Sequence, residues 1–425
     1  MTTTTRRPAS RSTSSRSGRT PKPPSRQTPK PTAPRPRSAQ EAASRAPSRA
    51  RVNESRPATI NGERISALLG FVVLALSLFG LVMVLSASSV TSVHEFDASP
   101  FYQFKRQAMW AVLGAVTYVV ASRVDYRRLQ QVARPLLAGT IVLLVAVLIP
   151  GVGKNINGSS RWLGVGPVVI QPSEIAKLAL VVFIADLLAK RAKKMDRPDL
   201  TVRPVMTVII GLSGLMLLQP KLGTPLILAA IALLMLYVAG GKISSLVAWS
   251  FAGVTAATFF AYSEPYRRAR LLAFMDPWAD PLGTGLQTIQ SQVGIASGGW
   301  LGVGLGASRT KWGFLPYAHS DFIFAVVAEE VGFIGAGALI MAFVLLGYLG
   351  IRIALGAQDR FGMLLAAGIT GWLLIQAFLN IGMAMGLLPI TGEPLPFVSA
   401  GGSSLVMTLL AAGILTNVAR QARVS

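Results

Sequence analysis

Between Trp312 and Ile334 a polar stretch carrying His319 and Asp321 runs directly into an apolar segment that itself holds Glu329 and Glu330. A charged residue at mid-bilayer costs roughly 2.5–3.5 kcal/mol on the insertion scale, and less near the interface. Side chains that expensive point to a functional site. Asp321 falls where a loop meets a membrane helix. Partial desolvation there makes a carboxylate a stronger base than in water, which suits general-base chemistry; a buried structural carboxylate is the alternative. His319 reads as a hydrogen-bonding neighbour. Glu329 and Glu330, two turns deeper, read as partners for polar groups on neighbouring helices.

Two further stretches carry unusual polar residues. Over 159–177, Ser173 is placed to cap a helix whose first turn holds Glu174. Glu174 and Lys177 are i,i+3 and share a helix face, so they either pair with each other or meet a substrate. Trp162 reads as an interfacial anchor or a substrate contact. Over 276–292 a turn precedes a polar-faced helix, with Gln287, Gln290 and Ser291 along one side. Asp276 and Asp280 each precede Pro, which favours turn building over acid–base work.

The elements that must position these groups are membrane helices. The 425 residues are 52% hydrophobic and 14% charged, with mean hydropathy +0.52. Apolar runs fall at 65–88, 107–122, 134–150, 173–189, 204–219, 224–240, 243–261, 321–349, 362–388 and 403–419. The expectation is an all-α polytopic membrane domain over 61–425 with about ten spans. The absence of Cys excludes disulfides, thiolate metal sites and a Cys nucleophile, and two His are too few for a multi-histidine metal site.

Net charge is +23, but residues 1–60 alone hold 14 Lys/Arg against Glu41 and Glu54 in a Ser/Thr/Pro-rich setting. That segment reads as a disordered basic cytoplasmic tail that attracts anionic lipid or docks a partner, not as a nucleic-acid footprint. The first apolar run begins only near Ile65, which argues against a signal peptide. Lys/Arg in alternate loops place both termini in the cytoplasm. The loop 262–320 is then the large extracytoplasmic one. Its Arg267, Arg268, Arg270, Arg309 and Lys311 lie where positive charge is disfavoured, which implies an anionic ligand outside. The glycines of 298–306 lack a βαβ context for nucleotide binding and suit tight backbone packing at the membrane surface.

Several ordered segments together resemble the SEDS family (shape, elongation, division and sporulation) of bacterial cell-wall glycosyltransferases. They are Arg161-Trp162-Leu163, Gln171 to Lys177, Leu271 to Trp278, Asp280 to Gly283, Gln290-Ser291, Ala296 to Gly299, His319 to Ala325, Leu395 to Ser399 and Gly401 to Ser404. The resemblance implies a ten-span fold in the bacterial cytoplasmic membrane, at the division septum. It implies polymerisation of lipid II, a disaccharide-peptide on an undecaprenyl pyrophosphate carrier, and places the family's essential aspartate at Asp321. The long basic tail and Ser399-Ala400-Gly401-Gly402 lean towards the division branch over the elongation paralogue. Substrate contacts are expected at Arg161, Trp162, Ser173, Glu174, Lys177, Gln290, Ser291, Lys311, His319, Ser399 and Ser403. The expected partners are a class B penicillin-binding transpeptidase and other divisome membrane proteins. No covalently bound cofactor is expected. The leaving pyrophosphate calls for outer cations (Arg267, Arg268, Arg270, Arg309, Lys311 or Lys177) or a divalent Mg or Mn ion.

Two residues depart from the family pattern, which usually has Asp in place of Lys221 and an apolar residue in place of Glu393. The competing readings are a flippase for the lipid-linked precursor, for which intramembrane charges would line a polar path, and a scaffold docking a transpeptidase.

Overall fold

The computed structural model describes residues 62–94, 99–156, 159–165, 168–219 and 223–422. The basic tail 1–60 and Lys221 lie outside them. Ten helices overlay the ten apolar runs: α1 (Gly62–His94), α2 (Tyr102–Arg123), α3 (Leu129–Leu148), α4 (Pro172–Lys190), α5 (Val202–Leu217), α6 (Gly223–Val238), α7 (Ile243–Tyr262), α10 (Ile323–Gly356), α11 (Arg360–Ala384) and α12 (Gly402–Gln421). Two shorter helices, α8 (Pro265–Met275) and α9 (Leu286–Ser297), lie within the long loop. Among the described residues six helices are long and apolar enough to cross a membrane, and α5 and α6 are shorter apolar helices.

Burial sorts them. α4, α11 and α12 are apolar nearly all round and form the centre, whereas α7 buries only Leu246 along its length. Small residues let the central helices approach closely. A Cβ on Gly413 of α12 would lie 2.5 Å from the Tyr118 carbonyl of α2.

The fold is helical as expected, with one small strand element added in a loop. The loop at 151–172 folds into a three-stranded antiparallel sheet, with β2 (Ser159–Val165) between β1 (Lys154–Ile156) and β3 (Val168–Ile170). Two strands are only three residues long, too short for a period-two pattern to register. Ser173 is also not the cap of α4: Gln171 takes the N-cap position, Pro172 opens the helix, and Ser173 is buried in its first turn.

α10 is broken at Gly332 (φ 73°, ψ −173°). The break frees carbonyls and N–H groups that the loop after α9 satisfies. Val303 and Gly304 donate to Glu329 O and Glu330 O (3.0 and 3.1 Å), while Phe333 and Ile334 donate to Gly299 O and Trp300 O (2.8 and 3.2 Å). The glycines of 298–306 are therefore used for close packing, but into a helix break. A Cβ on Gly302 would sit 2.2 Å from Glu330 O.

Candidate active site

Asp321 lies just before α10, at the end of a loop that is held by its main chain. Tyr317 adopts φ 59°, and its carbonyl accepts from the N–H groups of Ser320, Asp321 and Phe322 (3.1, 3.1 and 3.3 Å). A non-glycine residue at positive φ costs on the order of 1–3 kcal/mol and persists where surroundings enforce it. Here the carbonyls of residues 319–321 supply the enforcement. His319 O accepts from Ala400 N (3.0 Å), Ser320 O from Ser399 Oγ (2.6 Å) and Asp321 O from Asn380 Nδ2 (2.8 Å). Ser399 in turn accepts from Leu395 N (2.8 Å), and Gln107 of α2 donates to Ser399 O (3.1 Å).

Asp321 lines a cavity of about 1350 Å³. Around it stand Arg161 and Trp162 of β2, Arg267 and Arg270 of α8, Lys311 and His319. Arg161 Nε donates to Gln219 O (2.8 Å), and Arg267 donates to Leu217 O (3.3 Å), which aims both guanidinium groups at the loop end of α5. Further along, the lining becomes apolar: Ile209, Leu217, Leu226, Ala229, Gly253 and Ala257 of α5, α6 and α7. From Ile209 to Leu217 this wall extends about 12 Å along the helix, at 1.5 Å per residue. A carboxylate, a cluster of guanidinium groups and an apolar groove thus share one cavity. Burial keeps the His319 imidazole below its ordinary pKa of 6.5, so it is neutral at physiological pH.

A second polar group lies sealed behind the site. Lys177 Nζ meets Glu174 Oε1 (2.9 Å), Glu393 Oε2 (3.2 Å) and Gln376 Oε1 (2.9 Å), and lies 5.6 Å from the centre of the Trp372 ring. Thr224 Oγ1 donates to Glu393. Glu174, Lys177 and Glu393 have no solvent exposure. Of the two sequence readings for Glu174 and Lys177, the ion pair is the one observed, and Glu393 is its second carboxylate.

Glu329 and Glu330 also act structurally. Glu329 accepts from Ser308 Oγ, Thr310 Oγ1 (2.6 Å) and Arg309 N (2.8 Å). Glu330 accepts from Ser86 Oγ (2.6 Å) and pairs with Lys311 (3.2 Å). Together they hold the loop that brings Lys311 to the cavity wall.

Arg161, Trp162, Lys311, His319, Asp321 and Ser403 from the sequence expectation line the cavity; the others do not. Ser173, Glu174 and Lys177 are enclosed among the helices. Ser291 is buried and donates to Ala384 O (2.6 Å), Ser399 is spent on the Ser320 carbonyl, and Gln290 lies outside the lining, where its neighbour Gln287 takes part. Among the cations, Arg268 and Arg309 are exposed away from the cavity. Asp276 and Asp280 build turns as expected, Asp276 accepting from Trp278 N (3.1 Å) and Asp280 from Thr284 N (2.8 Å). The hydrogen bonds from the Thr284 main chain and hydroxyl hold the Asp280 carboxyl below its usual range. Sequence reasoning missed Asn380 and Gln376, polar residues inside an otherwise apolar helix, a signal that could have found them.

Among the described residues no three His, Asp or Glu side chains converge where they could hold a metal ion. The donor set around Asp321 is one carboxylate amid cations, which does not fit a resident divalent ion.

Fold and site define a multi-pass helical membrane protein whose cavity combines a carboxylate, several cationic side chains and an apolar wall. The model for the FTSW_RODA_SPOVE family of cell cycle proteins matches residues 66–424, and the chain belongs to that family. It is 43% identical over 356 residues to the probable peptidoglycan glycosyltransferase FtsW of Geobacter metallireducens, covering 84% of this chain and 95% of the relative. It is 41% identical to stage V sporulation protein E of Bacillus subtilis, covering 84% and 97%. The crystal structure of Thermus thermophilus rod shape determining protein RodA is similar with TM-score 0.61 and 29% identity, covering 84% of this chain and 97% of that one. A chain from a structure on the coordination of polymerization and crosslinking by a peptidoglycan synthase complex reaches TM-score 0.69 and 32% identity, covering 83% and 97%.

Proposed function

We propose that the chain is a peptidoglycan glycosyltransferase that polymerises lipid II into glycan strands, with Asp321 as general base. The observation that carries this reading is Asp321, its main chain held at three successive carbonyls, in the cavity that also holds Arg161, Arg267 and Arg270. The Asp321 carboxylate takes the proton from the acceptor sugar's 4-hydroxyl as that oxygen attacks the donor's anomeric carbon. The bond from that carbon to the pyrophosphate oxygen breaks on the opposite face of the ring, as inversion requires. Negative charge then grows on the pyrophosphate, where the three arginines would stabilise it. The apolar groove suits the carrier's hydrocarbon chain. A divalent cation, Mg or Mn, enters this reading only as a companion of the substrate pyrophosphate. EDTA would then slow polymerisation without altering the thermal stability of the free protein.

The setting proposed is the division septum, with both termini in the cytoplasm and a class B penicillin-binding transpeptidase and other divisome membrane proteins as partners. The elongation paralogue would run the same chemistry. The flippase reading finds no support in the buried charges: Glu174, Lys177 and Glu393, like Glu330 and Lys311, are spent on one another. The test is purified full-length protein with lipid II and the partner transpeptidase in detergent. Glycan strands resolved on a gel support the enzyme. Lipid II translocation across vesicles without polymer would overturn it.

A further inference from the structure

Glu393 is a fully buried carboxylate that the chemistry above does not use. Burying a charge is costly even when it is paired, and an apolar side chain of similar volume often serves stability as well. What the carboxylate adds is a directional hold. Its two oxygens meet Lys177 Nζ of α4 and Thr224 Oγ1 of α6, which fixes residue 393 against two helices at once.

The main chain at this point is joined to Asp321. Asn380 Nδ2 donates to Glu393 O and to Asp321 O, each at 2.8 Å. An amide nitrogen carries two hydrogens, so this one group sets the spacing of the two carbonyls. One turn earlier on α11, Gln376 repeats the pattern. Its Nε2 donates to Pro394 O (2.8 Å) while its Oε1 accepts from Lys177. Gly392, the residue before Glu393, adopts φ 68°, and a Cβ built on it would lie 3.7 Å from Asp321 Oδ2. The backbone next to Glu393 is therefore part of the wall around the Asp321 carboxylate.

We propose that Glu393 is a positioning residue for Asp321. By anchoring 392–394 to Lys177 and Thr224, it sets the main chain against which the Asp321 segment is clamped. The inference rests on the general-base reading of Asp321, and its test separates the two.

The experiment is steady-state polymerisation of lipid II by the full-length chain with its partner transpeptidase, comparing wild type, Glu393→Gln, Glu393→Leu, Asn380→Ala, the Asn380→Ala/Glu393→Gln double variant and Asp321→Asn. Displacing a catalytic group by about 1 Å costs up to about a hundred-fold in rate. Both Glu393 variants are expected to stay monodisperse while kcat falls about ten- to a hundred-fold. KM should stay within about two-fold, since the arginines that would hold substrate are untouched. The Asn380→Ala/Glu393→Gln double variant should lose no more than the worse single variant, as expected of residues acting through one contact.

Wild-type kcat in Glu393→Gln, with Asp321→Asn inactive, would overturn the positioning role and leave the base assignment standing. Additive losses in the double variant would equally overturn the route through Asn380. Activity in Asp321→Asn would sink the base assignment itself. Should the Glu393 variants fail to fold, Thr224→Val carries the test by removing one hydrogen bond from the carboxylate. A lowered kcat at unchanged KM then supports the role, and wild-type kinetics overturns it.

Discussion

Asn380 holds Asp321 by its main chain: the Asn380 amide nitrogen donates to the Asp321 carbonyl oxygen at 2.8 Å. Ser399 and Ala400 do the same for the two residues before it, at 2.6 and 3.0 Å. The backbone beneath the carboxylate is thus fixed before substrate arrives, as pre-organised catalysis requires.

Ser399 supports the site without lining it, so Ser399→Ala should lower kcat and spare KM. The Ser320 carbonyl would be left unsatisfied, at about 1–3 kcal/mol. A steady-state comparison decides the point, and a variant that raises KM alone would return Ser399 to the substrate contacts.

The candidate cations divide by position. Arg161→Ala, Arg267→Ala and Arg270→Ala should each depress kcat/KM by about ten-fold or more, consistent with about 1.5–3 kcal/mol for a hydrogen bond to a charged group. Arg268→Ala and Arg309→Ala, exposed away from the cavity, should behave as wild type. Polymerisation rates across a lipid II titration check all five.

Lys177 belongs to the interior. Lys177→Met would leave Glu174 and Glu393 buried without their shared cation, at about 3–5 kcal/mol. The expected result is a lower thermal midpoint and less recoverable monodisperse protein. A variant with wild-type stability and a raised KM would restore Lys177 as a substrate ligand.

His319 gives stability a defined pH dependence. Its folded-state pKa lies below the ordinary 6.5 because of burial, so the unfolded chain binds more protons as pH falls. This contribution is present in full above about pH 6.5 and is lost as pH drops from there through the folded value. His319→Gln should lose less thermal stability than wild type between about pH 7 and about pH 5. Parallel melting curves would contradict the assignment.

Much of the helical layout was legible because each apolar run is long and its polar breaks are sharp. Asp321 was legible for a related reason, an acidic residue at the junction of a polar loop and an apolar segment. Glu174 and Lys177 could be paired from their i,i+3 spacing alone. Contacts from distant parts of the chain were not legible. Nothing local to Glu393 says that Lys177, 216 residues away, will be its partner. Ser399 was expected as a substrate contact from the family resemblance, yet its hydroxyl serves a backbone carbonyl, a choice set by how 395–401 folds over 319–321. The sheet at 154–170 escaped because its strands are short and two of them carry no alternation.

The central claim is that the Asp321 carboxylate removes the acceptor proton. Its most direct test is single-turnover polymerisation of lipid II by Asp321→Asn beside wild type, both with the proposed partner transpeptidase and both shown to bind substrate. The amide keeps the size and the backbone clamp but cannot take the proton. Loss of about 10²–10⁴ in rate with substrate binding retained is the predicted result. Glycan strands formed at the wild-type rate would contradict it.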